Sequence, residues 1–402
     1  ENPTFGNKQY VYVNNRQCGE QALEPGGVCN LGSINLANFV NDNGHIMWSE
    51  LLESWRNLIR FLDNVIDATP YPMHYISQNA KNWRRIGPGI MGLADMFFKL
   101  HIRYGSQESY DLCKEISEKL YNEALQYSIL LGNEKGNYPG DPKATRRNSY
   151  FTTIAPTGSI SMVAECSGGI EPLFSLALKR QVLRDHTGKV ADTEIEVNKH
   201  LKNYLDKYLP LSSKYILDYC SDNGGRLSDI DFSKILYLAL NDKATNISDI
   251  ELELNSVGLE NLRHIFITTM ELTWEQHLDI QEIWTKYFCP PNGGNSISKT
   301  VNMPHDVTQA DVDRLYKLAW EKQCIGITMY RDGSHKGQPM TTDKKESVEE
   351  ATPVAMPIKE VVKQSSTIGE FETKPATIIK SRTSMGNLRL VVGFDDNKPT
   401  ET

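Results

Sequence analysis

The chain has 402 residues, with 43 basic and 51 acidic side chains, a formal net charge of −8, and 39% hydrophobic and 23% charged residues. That length allows a large core or two to three domains, and the ordinary apolar fraction excludes wholesale disorder. The acidic balance leaves no basic footprint for nucleic acid or a membrane surface, and no apolar run is long enough to span a bilayer.

In chain order, "NLGSINL" (30–36) is an apolar, strand-like stretch that follows Cys29. Residues 48–66 place Trp48, Leu51, Leu52, Trp55, Leu58, Ile59, Leu62, Val65 and Ile66 on one face of an amphipathic helix, stopped by Pro70 and Pro72. Further helices are expected over 89–100 and 106–131, the second with Cys113 as a small core side chain. Residues 149–174 predict a strand, a Pro-Thr-Gly turn, a short helix and a Gly-Gly break. The stretch 181–285 is expected to be mostly helical. Then come a short strand at 296–303, a helix capped by Thr308 and Asp311 to about residue 323, and an apolar strand at 325–330 closed by "RDGS".

Strands alternating with helices give an α/β body over 1–336. Residues 337–370, rich in Lys, Glu, Pro, Ser and Thr, are expected to be a flexible linker. Residues 371–402 hold a hairpin-like stretch (376–394), the start of a small β module that is expected to be cut off. The opening "ENPTFGNKQYVYV" has neither an initiator Met nor a signal pattern, so a fragment or processed product is expected. The seven cysteines are scattered and form no CxxC, which suits a reducing cytoplasm better than a disulfide framework or zinc ribbon.

Two constellations bear chemistry. In "NNRQCGEQALEPGGVCNLGSINL" (14–36), Cys18 stands two residues before Glu20, and Cys29 follows a Pro-Gly-Gly turn. A bare CxE would ordinarily be a loop cysteine beside a solvated glutamate; the second cysteine, leading straight into a strand, weighs against that. A carboxylate makes a nearby thiol less acidic, and an ionic nucleophile would call for a His or Lys neighbour, which the motif lacks. The pairing suits a sulfur that reacts as neutral S–H or as a radical, with Glu20 as general base for a substrate proton. In "IAPTGSIS" (154–161), small residues and hydroxyls at a strand-to-helix turn suit either a phosphate or an ordinary capped turn. There is no Walker loop or dinucleotide fingerprint. The nine histidines show no metal-ligand spacing and are expected on the surface or in the core, so no metal site is expected. Arg331 in "YRDGS" is expected at a strand-end turn.

Together these phrases resemble an adenosylcobalamin-dependent ribonucleotide reductase. "NPT", "CGEQAL…CNLGSINL", "RRIGPGIMGLADM", "IRYGS", "IAPTGSIS", "SGGIEP", "SKTVNMPHD" and "GITMYRDGS" occur in family order across most of residues 1–336. The resemblance implies the second half of a ten-stranded α/β barrel with a central finger loop. It implies that Cys18 at the loop tip becomes a thiyl radical that removes the 3′ hydrogen of a ribonucleotide. Glu20 would take the 3′-hydroxyl proton, and Cys29 would be one member of the dithiol that ends as a disulfide. The substrate diphosphate would sit on Pro156, Thr157, Gly158, Ser159, Ile160 and Ser161, with Arg16, Gln17 and Gly19 also lining the substrate. Adenosylcobalamin would supply the radical. The implied partners are a ribonucleoside di- or triphosphate, a thioredoxin-like dithiol reductant, an upstream half-barrel on the same or another chain, and a second copy in a homodimer.

Three departures stand out. Where the family has Asn two residues before the radical cysteine, this chain has Arg16; either Asn15 serves through a local shift or Arg16 or Gln17 takes over, Asn15 being preferred. The thiol partner of Cys29 and the upstream contacts to nucleotide and cobalamin are expected before residue 1. Met385 replaces the cysteine usual before "GNL" in the small C-terminal module. Two other readings remain: the large subunit of a metal-dependent reductase, against which "TMYRDG" has only Tyr330 in place of a tyrosine pair, and a non-catalytic nucleotide-binding fragment of a split enzyme.

Overall fold

The computed structural model describes residues 14–15, 18–184, 190–240, 242, 246–334, 376–383, 386–395 and 398–400. Two compact units divide between Lys344 and Lys345. The expected linker at 337–370 and Met385 lie outside the described residues.

In the first unit the parallel strands carry the architecture. β1 (Asn14–Asn15) and β2 (Ala22–Leu23) form a short antiparallel hairpin, with Asn15 opposite Ala22. β3 (Asn30–Asn35) runs parallel to β4 (Ile86–Met91), β5 (Thr152–Ile154) to β8 (Gly294–Ile297), and β9 (Thr300–Met303) to β10 (Thr328–Arg331). β4 lies beside β5: the Ile86 N–H donates to the Tyr150 carbonyl at 3.1 Å, and a Cβ on Gly87 would meet Thr153 Cγ2 at 2.8 Å. Such parallel pairs need helical crossovers. α1 (Trp48–Ala68) and α2 (His74–Trp83) join β3 to β4.

α1 matches the expected helix because Leu51, Trp55, Ile59, Leu62 and Ile66 recur at three- and four-residue spacing and are all buried. Its Trp55 indole donates to the Leu120 carbonyl at 2.8 Å on α4 (Gln107–Lys135), and its ring lies 5.9 Å from that of Phe288. Phe288 ends α11 (Trp274–Phe288), which backs β8 and β9. Cys113, fully buried on α4, is a core residue as expected. α12 (Gln309–Glu321) begins at the foreseen capping box: Thr308 Oγ1 accepts from the Asp311 N–H, and Asp311 accepts from the Thr308 N–H.

Three expectations need correction. The helix expected over 89–100 is α3 (Leu93–Leu100) alone, because 86–91 is a strand buried at every position. Gly87, Pro88 and Gly89 resemble a turn in sequence, yet here they let β4 pack closely on both sides. The stretch from 181 opens in an antiparallel ribbon, β6 (Ala177–Arg184) with β7 (Val190–Val197), before five helices. These are α6 (Lys199–Tyr208), α7 (Ser213–Asp222), α8 (Phe232–Leu240), α9 (Ile247–Val257) and α10 (Glu260–Ile265), around their own core of Leu201, Ile216, Leu227 and Leu262. The single strand expected at 296–303 is two, β8 and β9, separated by Ser298 and Lys299. β5 then leads into α5 (Gly158–Val163), as expected.

The second unit contains an antiparallel sheet of β11 (Ala376–Thr383), β12 (Gly386–Asp395) and β13 (Lys398–Thr400). Among the described residues no helix is long and apolar enough to cross a membrane.

Candidate active site

Cys18 is exposed near the tip of the β1–β2 hairpin. Gly19 follows at φ +76°, the left-handed region that glycine enters without strain, and a Cβ there would meet nothing within 4 Å. This reversal turns Glu20 inward, where it is only 6% exposed. The Glu20 carbonyl accepts from Thr153 Oγ1 on β5 at 2.7 Å and from the Ser296 N–H on β8 at 3.1 Å, pinning the loop across two parallel strands. Its carboxylate is different: Oε2 is buried and has no hydrogen-bond partner among the described residues. A buried acceptor left open costs about 1–3 kcal/mol, more for a charged group, so it marks a place for a donor.

The next residues fasten the loop at its base. Arg85, almost wholly buried, donates to the Ala22 carbonyl at 3.2 Å and to Glu24 at 3.0 Å, and stacks 4.9 Å from the Tyr150 ring centroid. Burial pushes its guanidinium down to about 10 and raises the Glu24 carboxyl above its ordinary value. Asn79 donates to the Pro25 carbonyl at 2.9 Å. After the turn closed by the Gly27 N–H on the Glu24 carbonyl, the chain returns to Cys29. Cys29 is buried at the start of β3, and Gln21 Nε2 donates to its Sγ at 2.6 Å.

β5 also leads to the second constellation. Gly158 comes five residues after Thr153, which holds Glu20, a reach of at most about 17 Å. Thr157 is buried at φ 52°, and its Oγ1 accepts from the Gly169 N–H at 2.8 Å. Ser161 is buried, with its Oγ 3.4 Å from the Gly158 carbonyl. Those two hydroxyls face the protein, and Pro156 is half-buried. The exposed part is Gly158, Ser159 and Ile160, whose N–H groups precede the first intrahelical bond, Ser161 N–H to the Thr157 carbonyl. The donors offered outward are thus backbone N–H groups and the Ser159 hydroxyl. Asn15 is placed in β1; Arg16 and Gln17 lie outside the described residues.

A buried polar chain closes the neighbouring edge. Lys299, 1% exposed, donates to Glu171 at 2.9 Å and meets His277 Nδ1 at 3.2 Å, while Glu171 accepts from the Thr300 N–H at 2.6 Å. Burial first, and then the Lys299 charge, push His277 down to about 3, so it stays neutral. This chain backs a hollow of about 400 Å³ lined in part by Glu171, Thr300, Asn302 and Tyr330. Arg331 is exposed at the end of β10. Among the described residues no group of three or more His, Cys, Asp or Glu is arranged to hold a metal ion. Sequence reasoning did not single out Thr153, Arg85, Gln21 or Lys299; each acts through contacts with residues distant in sequence or, for Gln21, through a fold-back onto Cys29.

The chain matches the family described as ribonucleotide reductase, barrel domain, over residues 10–145 and 142–330. It belongs to the ribonucleotide reductase barrel-domain family. It is 34% identical over 337 residues to the vitamin B12-dependent ribonucleoside-diphosphate reductase of Thermoplasma acidophilum, covering 82% of this chain and 39% of that one. The enzyme of the same description from Mycobacterium tuberculosis (strain CDC 1551 / Oshkosh) is 32% identical over 347 residues, covering 85% and 44%. The ribonucleoside-diphosphate reductase large subunit of African swine fever virus (isolate Tick/South Africa/Pretoriuskop Pr4/1996) is 39% identical over 125 residues, 31% of this chain and 16% of that one. The alpha subunit of the Actinobacillus ureae class Id ribonucleotide reductase shares the fold, with TM-score 0.62, 19% identity, and coverage of 82% of this chain and 55% of that one. The chain spans about two-fifths of the length of the two B12-dependent relatives. The strand pairs of the ribonucleotide reductase barrel domain therefore place both constellations, with β5 common to them.

Proposed function

We propose that this chain is the C-terminal catalytic portion of an adenosylcobalamin-dependent ribonucleotide reductase, forming the second half of a ten-stranded barrel with the 14–29 loop as its finger. The observation that carries this reading is Glu20: an inward carboxylate with an open buried oxygen, two residues from an exposed thiol, on a loop pinned to the strand that leads to the phosphate turn. In this reading Cys18 removes the 3′ hydrogen and Glu20 takes the 3′-hydroxyl proton as the 2′-hydroxyl leaves as water. The net reaction converts ribonucleotide and two thiols into deoxyribonucleotide, a disulfide and water, with Cys29 as one of the thiols. Gly158, Ser159 and Ile160 offer N–H groups to the diphosphate. Asn15 is the candidate for the ribose hydroxyls.

Among the described residues, Cys18 is exposed and a Cβ on Gly19 would meet nothing within 4 Å, which supports a radical source approaching from outside the loop. When bound, adenosylcobalamin supplies by homolysis the radical that takes the Cys18 hydrogen. The described residues contribute the reacting sulfur rather than a corrin cradle, which suits an upstream half-barrel, of the same or another chain, as the further partner. A thioredoxin-like dithiol would regenerate Cys29 and its partner, and a homodimer is the assembly to look for. The B12-dependent relatives overlap four-fifths of the chain and the viral large subunit less than a third, and both are named for ribonucleoside diphosphates, which are accordingly the first substrates to try. Deoxynucleotide formation should be measured with the chain joined to an upstream half-barrel, with adenosylcobalamin or with a metal-radical subunit. Dependence on adenosylcobalamin supports the proposal; dependence on the second protein would move the chain to the metal-dependent class.

A further inference from the structure

Gln21 is fully buried directly after Glu20, and its amide is unevenly satisfied. Nε2 donates to Cys29 Sγ at 2.6 Å, whereas Oε1 is buried without a hydrogen-bond partner among the described residues. An amide serving only to fill space would be replaced at lower cost by an apolar side chain of the same size, because an orphaned buried acceptor is destabilising. The surroundings also make room for it: a Cβ on Gly87 would come within 2.8 Å of Gln21 Nε2 and 2.6 Å of Leu31 Cδ2. Cys29 Sγ in turn donates to the Asn30 carbonyl at 3.6 Å.

We propose that Gln21 is a positioning residue for the dithiol step, holding the Cys29 sulfur and favouring its deprotonated form by donating Nε2–H to it. This rests on the reading of Cys29 as a redox cysteine. An N–H donated to sulfur strengthens as charge builds there, so it favours the thiolate over the thiol. Disulfide closure removes two S–H bonds and forms one S–S bond, releasing two protons and two electrons to the substrate as its 2′-hydroxyl leaves as water. A sulfur that gives up its proton readily and cannot rotate away serves that step. Because Gln21 sits on the same loop as Cys18 and Glu20, the radical site and the reductant share one loop.

The test is the pH profile of Cys29 alkylation by iodoacetamide in the full chain, read by peptide mass spectrometry in wild type, Gln21→Leu and Gln21→Glu. Cys113 and Cys220, both pushed up to about 12 by burial, serve as unreactive references. The midpoint for Cys29 should rise by about one pH unit in Gln21→Leu, so that alkylation below it slows roughly tenfold, and it should rise further in Gln21→Glu, whose carboxylate opposes the thiolate. Identical midpoints in all three folded proteins would overturn the inference. If Gln21→Leu fails to fold, Gln21→Glu decides alone. Since alkylation requires no turnover, a shifted profile in a chain that makes no deoxynucleotide even with an upstream half-barrel would leave the Gln21–Cys29 contact standing while overturning the reductase reading and, with it, the dithiol role. An active chain with unshifted profiles would do the reverse.

Discussion

Replacing His277 by Gln should abolish a specific loss of stability in mild acid. His277 is buried, meets Lys299 at one ring nitrogen and the Thr269 carbonyl at the other, and is held down to about 3 against an ordinary 6.5. A depressed histidine contributes stability that is fully present above about pH 6.5 and is lost as the pH falls toward 3, because only the unfolded chain takes up the proton in that window. Each pH unit there costs up to about 1.4 kcal/mol, so moving from pH 7 to pH 5 should cost about 2 kcal/mol through this side chain. All six tryptophans precede residue 345, so their fluorescence in urea reports the first unit alone. The quantity to measure is the pH 7 to pH 5 loss in wild type minus that in His277→Gln, in which carboxylate titrations common to both cancel. A difference near 2 kcal/mol is expected. A difference near zero, with both proteins folded, would refute the buried neutral histidine beside Lys299.

Two further substitutions probe how the cysteine loop is held. Gly87→Ala should destabilise the first unit by about 1–3 kcal/mol in the same urea assay, because the added methyl overlaps Leu31, Gln21 and Thr153; a neutral result would contradict the close β4–β5 approach. Arg85→Met should leave Glu24 buried without its cation and free residues 22–24, so limited proteolysis should cut first between the two cysteines. A variant no more susceptible there than wild type would show that Arg85 does not latch the loop.

Much of this fold was legible where a helix buries one stripe. α1 and the capped start of α12 follow from spacing and end chemistry, which are local. β4 was obscured because a strand buried on both faces has no alternation, and two glycines and a proline look like a turn. The β6–β7 ribbon was hidden in charged residues whose pairing is visible only across the hairpin. At the site, Cys18, Glu20, Cys29 and the 156–161 turn could be picked out as residue types in a pattern. That Glu20 points inward depends on Thr153 and Ser296, more than a hundred residues away, and the inward-facing hydroxyls of Thr157 and Ser161 depend on how α5 and Gly169 pack. No short window of sequence contains those contacts.

The central claim is that an exposed Cys18 and an inward Glu20 act as a pair on a ribonucleotide. The most direct test is deoxynucleotide formation from ribonucleoside diphosphates, with adenosylcobalamin, a dithiol and an upstream half-barrel, in wild type, Cys18→Ala and Glu20→Gln. The account predicts turnover in wild type, none in Cys18→Ala, and a rate lower by about 10²–10⁴ in Glu20→Gln, the range for losing a general base. Unchanged turnover in Cys18→Ala would contradict it.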